Sequence, residues 1–437
     1  MKIIFKNLIF YLLGILLSIT VLNSCKKNSY WLKGNMHTHT FWSDGTNFPE
    51  SVATWYKNNG YDFLVFTDHN TLHEPPAKTN RVNHALADGK LWVRIVKDHP
   101  ALADYLALFG NTWVKTRNDE EEGYIQVHLK TFEEFRSLYE KTGEFLVIAG
   151  NEITNPHRVH LLSFDQEKAI PPSKGSENDR VRMIRETVDK VNENSIQSGR
   201  NNFPALAHPN HGWAITAEMI IDVPELRFFE VYNGIPSCNN DGDGYRAGTG
   251  KIWDIVLANR LGSENGELLY GLATDDAHHY HGQGSGPGRG WVMVRSESLS
   301  SEAIFSAMDR GDFYSSTGVI ISNFSFNGKT FKIEIEPMDG IEYITEFIGT
   351  RKGFDGSSVP TLDSLGMEIE NTTRTYSDKI GEILASNHDL NSSYTFSGDE
   401  LYIRAVVTST ADQIDPVSGK VLGKQKAWLQ PVRMGEK

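Results

Sequence analysis

The sequence predicts an α/β fold, with a parallel sheet that is open or closed into a barrel, followed by a small β-sandwich. Up to about residue 318, short apolar runs typical of buried strands alternate with helix-like stretches. Such alternation is typical of a parallel sheet. Beyond that point, polar and apolar residues alternate one by one, which predicts exposed β-strands. We therefore divide the chain into segments 1–24, 25–33, 34–318 and 319–437.

Local signals mark the first strands and helices. Residues 47–59 carry apolar side chains at helical spacing, and Gly60 can end that helix. Residues 61–66 predict a buried strand. Thr131 and Glu134 predict a capping box at the start of another helix, which we expect Gly143 to end. Further strands are predicted at 145–149, 203–207, 228–231 and 268–273, and a further helix at 301–310.

The last 119 or so residues predict the β-sandwich, and the preceding domain contains one long insert. Residues 324–331 contain Asn327-Gly328, a typical hairpin turn, and residues 332–336 and 401–407 alternate in polarity. The insert, about 71–130, lacks a strand–helix rhythm, and we expect it to form a lid or an edge of a pocket. We assign no role to its histidines, which are His73, His84, His99 and His128.

The first 24 residues predict an export signal. Lys2 and Lys6 precede an apolar run from Leu8 to Leu22, and Cys25 follows shortly after it. The segment 22–25 resembles a bacterial lipobox, in which the cysteine carries the lipid and becomes the first mature residue. The alternative is a retained membrane anchor, although the run is shorter than the ~20 residues that a spanning helix needs. Both alternatives place the folded part outside the cytoplasm, in the periplasm or on the cell surface, tethered to a membrane.

The overall composition excludes several classes of protein. The chain has 437 residues, 39% of them hydrophobic, which is sufficient for a large folded core. Its formal net charge of −13 argues against DNA or RNA as a bulk partner. Two cysteines exclude a disulfide scaffold. The sequence predicts no protein partner.

Histidines and acids fall at the predicted carboxyl ends of the strands. In parallel α/β sheets that edge carries the active site, so side chains far apart in sequence meet there. Imidazole and carboxylate groups are ligands for divalent metal ions, and nine of them are too many for one ion. The nine candidates are His37, His39, Asp44, His69, Glu152, His160, His208, Asp276 and His278.

Taken singly, these residues leave alternatives open. His37 and His39 can be ordinary strand histidines, and Asp44 can simply hold a turn. His157 competes with His160 for the same role. Their joint occurrence at strand ends is what favours a metal site.

These motifs together resemble those of the polymerase-and-histidinol-phosphatase (PHP) superfamily, over residues 34–318. The resemblance implies a distorted seven-stranded β/α barrel with two or three divalent ions (Zn, Mn or Fe), and many members are phosphoesterases. It implies that His37, His39, Glu152 and Asp276 bind one ion, that Glu152 bridges to an ion held by His160 and His208, and that Asp44, His69 and His278 hold another. It gives Asp68 no firm role, and a position behind the ligands is expected. The matching motifs are His37-Thr38-His39, Ser43-Asp44-Gly45, Thr67-Asp68-His69, Glu152, Ala207-His208-Pro209 and Asp276-Ala277-His278.

Less specific segments resemble the branch of this superfamily that includes carbaryl-hydrolase-like enzymes. They are Gly286 to Trp291, Gly311 to Gly318 and Ala427 to Pro431. The insert after Leu72 departs from the compact members.

Three functions follow from this resemblance. The first is hydrolysis of small phosphorylated molecules or nucleotides by water that metal ions activate, with Glu152 and Asp276 in the catalytic centre. The second is an amidase, carbamate hydrolase or esterase on the same scaffold, and the third is a surface module that only binds a ligand. Arg289 is a candidate phosphate clamp or a solvated loop residue, and His211 is a candidate acid for the leaving group.

Overall fold

The computed structural model describes residues 29–79, 81–140, 143–263, 266–282 and 284–435. The predicted signal peptide, Cys25 and its lipid lie outside these ranges. Within the described part of the chain, no helix combines the length and the apolar character needed to cross a bilayer.

Thirteen strands and seven helices precede the tail among the described residues. The strands are β1 (Tyr30–Asn35), β2 (Phe63–Phe66), β3 (His84–Ala87), β4 (Lys90–Val96), β5 (Thr116–Asn118), β6 (Tyr124–His128), β7 (Leu146–Thr154), β8 (His160–Phe164), β9 (Pro204–Leu206), β10 (Phe228–Asn233), β11 (Tyr270–Thr274), β12 (Trp291–Ser296) and β13 (Phe313–Ser316). The helices are α1 (Pro49–Asn58), α2 (Pro100–Trp113), α3 (Phe132–Arg136), α4 (Arg180–Ser198), α5 (Ala217–Ile221), α6 (Thr249–Leu261) and α7 (Ser301–Asp309).

The tail consists of strands and turns. Its strands are β14 (Ile321–Phe326), β15 (Thr330–Ile335), β16 (Tyr343–Arg351), β17 (Ser358–Val359), β18 (Thr375–Tyr376), β19 (Glu382–Asn387), β20 (Asn391–Thr395), β21 (Glu400–Ile414) and β22 (Val421–Val432). The hairpin predicted at Asn327-Gly328 joins β14 to β15, and Gly328 adopts the positive φ of 84° that such a turn requires.

The main sheet is mixed rather than wholly parallel. Its order is β11-β10-β9-β8-β7-β2-β1-β12-β13-β22-β21-β16-β19. Pairs β1–β2, β2–β7, β9–β10 and β10–β11 are parallel, but β8 runs antiparallel to both of its neighbours. The prediction of a parallel sheet is wrong at β8, because only the short turn 155–159 separates β7 from β8 and no crossover is possible.

The two ends of the parallel region approach each other. Thr38, just after β1, forms an isolated parallel bridge with Ala277, just after β11. Among the described residues the strand order has two free ends and does not close on itself, so closure into a seven-stranded barrel stays a prediction. The bridge nevertheless brings the loops after β1 and β11 side by side.

The largest apolar core lies between the main sheet and the helices packed on it. Leu32, Phe63, Leu206 and Trp253 are among its buried members. A side chain at Gly34 would overlap the Phe63 ring, with atoms 2.1 Å apart, so only glycine allows β1 and β2 to pack so closely here.

The insert is a folded subdomain. Strands β3, β4, β6 and β5 form an antiparallel sheet, and α2 packs near it. Phe41, Phe48, Leu91, Tyr105 and Val127 share one core, so the insert is attached to the loop that follows β1. The sequence shows no clear strand–helix rhythm in the insert, since these strands are short and partly exposed and their pattern is weak.

The tail is continuous with the main sheet. β13 pairs with β22, and β22 pairs with β21, which is followed by β16 and β19, so four tail strands extend the sheet that carries the earlier strands. The separate sheet β14-β15-β20 contributes to a second core with β16, β21 and β22. A boundary near Gly318 and a sandwich architecture stay predictions.

One predicted helix is shorter in the structure than the sequence suggests. The capping box of Thr131 and Glu134 is present, but α3 ends at Arg136 and not at Gly143.

Candidate metal centre

The nine candidate ligands meet at one edge of the main sheet, although they come from several loops. His37, His39 and Asp44 follow β1, and His69 follows β2. Glu152 lies inside β7, two residues before its end, and His160 begins β8. His208 follows β9, and Asp276 and His278 follow β11. An isolated bridge between His69 and Glu152 fixes the neighbouring loops against β7.

One group of three ligand atoms has the spacing of a metal site. Nε2 of His37 lies 3.1 Å from Nε2 of His39 and 3.3 Å from Oδ1 of Asp276. Nε2 of His39 lies 3.1 Å from the same oxygen. Ligands at about 2.0–2.1 Å from a tetrahedral ion are roughly 3.3 Å apart, so this triangle could hold one ion.

Glu152 faces two different sets of histidines. Its Oε2 lies 3.4 Å from Nε2 of His39 and 2.7 Å from Nδ1 of His69. Its Oε1 lies 2.8 Å from Nδ1 of His160 and 3.1 Å from Nε2 of His208. A carboxylate with one oxygen on each side can bridge two ions.

A further group surrounds Asp44, at the exposed side of the centre. Oδ1 of Asp44 lies 3.5 Å from Nε2 of both His69 and His278 and 3.7 Å from Nδ1 of His39. Half of the Asp44 side chain is exposed. Three groups of His, Asp and Glu could therefore hold ions, and they share His39 and His69.

Several ligand atoms in the centre lack hydrogen-bond partners. Oε2 of Glu152, Oδ1 of Asp276 and Nδ1 of His208 are buried without one. Buried polar atoms normally have partners, because leaving one unsatisfied costs about 1–3 kcal/mol. These atoms and the imidazole pairs fit divalent ions that accept nitrogen and oxygen ligands, such as Zn, Mn or Fe.

The charges of the centre shift the pKa values of its members. Burial by itself lowers the pKa of His69, but the carboxylates of Glu152 and Asp44 raise it to about 10. The pKa of His278 is raised to about 9 by Asp44 and Asp276, again against burial. His39 behaves in the opposite way, since burial and the neighbouring histidines lower its pKa to about 4.

The carboxylates respond to the same neighbours. Burial raises the pKa of Glu152 and of Asp276, but the surrounding histidines outweigh it and hold both pKa values well below their usual range. Both groups are therefore ionised at neutral pH, as metal ligands must be.

Glu230 is a part of the centre that sequence reasoning missed. Its Oε1 lies 2.7 Å from Nδ1 of His37 and accepts a 2.6 Å hydrogen bond from Thr274. Its Oε2 accepts hydrogen bonds from the backbone N–H of His208 and from Asn233. This arrangement fixes the ring orientation of His37 and leaves Nε2 for a metal ion. The available signal was an acid inside the apolar run Phe228-Phe229-Glu230-Val231, where burial requires partners.

Asp68 holds the loop that presents the first histidines. Its carboxylate accepts hydrogen bonds from the backbone and side chain of Thr40 and from Ser43, and His73 lies 2.6 Å away. Ser43 also lies 3.1 Å from Nδ1 of His39. Asp68 therefore lies behind the ligands, and His73 of the insert lies behind Asp68.

Asp275, another missed residue, shapes the loop beyond His278. Its buried carboxylate accepts hydrogen bonds from Tyr56 and from the backbone N–H groups of Gly288, Arg289 and Gly290. Burial raises the pKa of Asp275, although these donors oppose the shift.

Backbone strain is found at two of the ligands. His208 has a φ of 25° and Asp276 a φ of 48°, in the left-handed region that non-glycine residues rarely adopt. Such strain persists where the surrounding structure fixes a functional geometry.

Arg289 does not reach the cluster of ligands. Its guanidinium donates to the carbonyl oxygens of Gly234 and Gly284 and pairs with Asp415 at 2.5 Å. Its charge is thus neutralised by the tail, and it links the loop after β11 to the turn between β21 and β22. This position does not suit a phosphate clamp, and it is not that of a solvated loop residue either.

His211 does lie beside the cluster. Its ring centre is 5.2 Å from that of His208, and burial together with His208 lowers its pKa to about 4. A neutral imidazole at neutral pH is poorly suited to donate a proton. His157, the competitor of His160, is exposed.

Several solved protein chains match this one, whereas the sequence comparisons find nothing. No protein-family model matches the chain, and no curated protein matches it. A two-domain protein from Bacteroides vulgatus, described as containing a predicted PHP-like metal-dependent phosphoesterase, has a similar structure. The two share 14% identity with a TM-score of 0.38, over 92% of this chain and 96% of that one. The functional assignment therefore depends on the geometry of the centre.

Proposed function

We propose that the protein is a metal-dependent hydrolase of the PHP type that cleaves phosphoesters of small molecules. The observation that carries the proposal is the placement of Glu152, whose two oxygens face separate sets of histidines. A carboxylate in that position can join two ions into one catalytic centre.

Divalent ions bound here would supply activated water and would polarise the bond to be broken. The protein supplies the rest. Glu230 orients His37, Asp68 orders the loop of His39, and Asn233 donates a 3.0 Å hydrogen bond to Asp276. These contacts fix the ligands before substrate arrives, so that little reorganisation is needed during the reaction.

Charge balance favours an anionic substrate when three ions bind. Three divalent ions against Asp44, Glu152 and Asp276 leave about three positive charges, and counting Glu230 as well leaves about two. A phosphoester carries negative charge and suits such an excess.

An amidase, carbamate hydrolase or esterase is the second candidate, and the same count favours it when only two ions bind. Two ions against those four carboxylates leave about zero charge, which suits a neutral substrate. The charge balance therefore depends on the number of bound ions, and the substrate assay decides between the two candidates.

The proposal includes the setting of the enzyme. We propose a closed seven-stranded barrel over 34–318, a β-sandwich over 319–437, and anchoring outside the cytoplasm through a lipid on Cys25. Mass spectrometry of the membrane fraction should then find no peptide from residues 1–24.

The deciding experiment combines metal analysis with four substrates. Elemental analysis should give two to three equivalents of Zn, Mn or Fe per chain. The metal-loaded protein is then assayed on a phosphomonoester, a phosphodiester, an aryl ester and an aryl carbamate, with Glu152→Gln as the background control. We expect either phosphate to be turned over faster than the ester and the carbamate. Faster turnover of the ester or carbamate overturns the phosphoesterase, and no turnover of any substrate favours a binding module.

A further inference from the structure

A cavity of about 440 Å³ adjoins the metal centre on the side of the insert. His69 forms part of its lining and is also a member of two of the three ligand groups. The cavity therefore opens next to the atoms of the proposed reaction, and the insert and the loop before it supply most of its walls.

One wall of this cavity is rigidly held. Trp42 is buried, donates a hydrogen bond to the carbonyl oxygen of Lys130, and stacks on His73 with ring centres 5.3 Å apart. His73 in turn contacts Asp68, which orders the loop of His39. The shape of the cavity is thus coupled to the shape of the metal centre.

Two cations line the cavity without a carboxylate partner. Lys78 and Arg81 both belong to the lining, and across the described ranges neither makes an ion pair. Glu74 is the single acid in the lining. His84 adds no positive charge, because burial and nearby Arg81 lower its pKa.

The rest of the lining is suited to an organic group. Leu72, Pro75 and Leu91 contribute apolar surface beside the two cations. A ligand that fills the cavity thus meets apolar contacts close to His69 and positive charge on Lys78 and Arg81.

We propose that this cavity binds the leaving group of the substrate and that Lys78 and Arg81 recognise a second anionic group on it. The substrate class is an organic phosphoester with an additional carboxylate or phosphate. The inference depends on the proposed function for the identity of the first phosphate, but binding of the second anion can be measured separately.

The test compares matched ligands that differ by one anionic group. Calorimetry measures binding of phenylphosphonate, 4-carboxyphenylphosphonate and 1,4-phenylenebisphosphonate, none of which is hydrolysed, to the metal-loaded protein. We expect 4-carboxyphenylphosphonate and 1,4-phenylenebisphosphonate, which carry the additional anionic group, to bind about tenfold more tightly than phenylphosphonate. The double variant Lys78→Met/Arg81→Met should lose that difference and should keep the affinity for phenylphosphonate.

The control is Lys90→Met/Lys97→Met, which removes two exposed lysines of the same insert that lie outside the cavity lining. It should bind all three ligands as the unaltered protein does. Equal affinity of the unaltered protein for all three ligands, or an unchanged preference in the Lys78/Arg81 variant, overturns the inference. If the preference is present while no phosphoester is turned over, the anion site stands and the proposed function fails. If only one of the two additional groups is preferred, that result identifies which anion the site recognises.

Discussion

Two buried sites of this protein differ in the groups that surround their carboxylates. Where α6 meets β21, Arg404 makes a two-pronged contact with Asp254, with distances of 2.7 and 2.6 Å, and Tyr402 donates a hydrogen bond to the same carboxylate. In the metal centre, by contrast, Oε2 of Glu152 and Oδ1 of Asp276 face the imidazole of His39 and lack a hydrogen-bond partner.

The difference separates a structural contact from a binding site. A buried charge with an opposite charge beside it is complete in the protein alone. Donor atoms that converge on one point, with two imidazole nitrogens 3.1 Å from each other and near a carboxylate oxygen, have the arrangement of ligands around a cation. The comparison predicts that substitutions at the two sites will affect different properties.

Removing two ligands should have the largest effect. The double variant His37→Ala/His39→Ala should lose at least one metal equivalent per chain, because both rings belong to the same triangle. Elemental analysis after dialysis measures the loss. The control His157→Ala/His388→Ala, which alters two exposed histidines, should keep the full count. An unchanged count in the first variant would place the metal elsewhere.

Breaking the structural pair should destabilise the fold and leave the metal in place. Arg404→Met leaves Asp254 buried without its cation, and we expect the free energy of unfolding to fall by about 3–5 kcal/mol. Denaturant unfolding measures this change, and elemental analysis should show the same metal content as before. Adding Asp254→Asn to Arg404→Met should restore part of the stability. A loss of metal at full stability would contradict the distinction between the two sites.

Glu50 is a third kind of buried carboxyl group, which makes no ion pair with any described residue and belongs to none of the three ligand groups. Burial raises its pKa to about 7, although Tyr105 and Trp113 donate hydrogen bonds to it. The folded state holds this proton between pH 4.5 and 7 and the unfolded state does not, so its contribution to stability falls as the pH rises through that window. The total loss is about 3 kcal/mol.

The variant Glu50→Gln mimics the protonated form. Its free energy of unfolding should exceed that of the unaltered protein at pH 8 and match it near pH 4.5. Denaturant unfolding of both proteins at several pH values gives the difference between their free energies of unfolding. The titration of other groups cancels in that difference. A constant difference across that range would show that Glu50 is ionised in the fold.

Glu230 should give the smallest effect, because it orients the ligands His37 and His208 but is not itself one of the nine candidate ligands. Glu230→Gln should weaken metal binding by about 10–100-fold, measured by competition with a chelator. Glu225→Gln, an exposed acid before the same strand, serves as the control and should bind metal normally. Unchanged affinity in Glu230→Gln would reduce Glu230 to a purely structural role.

Candidate ligands at strand ends could be predicted from the sequence, because the position of a strand determines which edge of the sheet the following side chains occupy. His69, His208 and Asp276 follow strands that apolar runs indicate clearly, and the structure brings them to one edge of the sheet. The antiparallel direction of β8 could not be predicted, because the alternation of strands and helices does not indicate where two successive strands form a hairpin. Here Leu146–Thr154 and His160–Phe164 form one.

The other differences between the predictions and the structure arise from contacts between residues far apart in the sequence. Arg289 in a glycine-rich loop suggested an anion site, but its partner Asp415 lies 126 residues further along the chain and no local pattern connects them. The insert gave no pattern because its core is shared with Phe41 and Phe48, which precede it in sequence. Its role beside His69 emerges only from the folded arrangement.

The contact between Arg289 and Asp415 also sets an order of events during synthesis. The loop that follows Asp276 and His278 is held from one side by Asp275 and from the other by the turn between β21 and β22. That second support cannot form until residue 415 has left the ribosome. Completion of this side of the centre therefore comes after strands β1 to β21 have all been made.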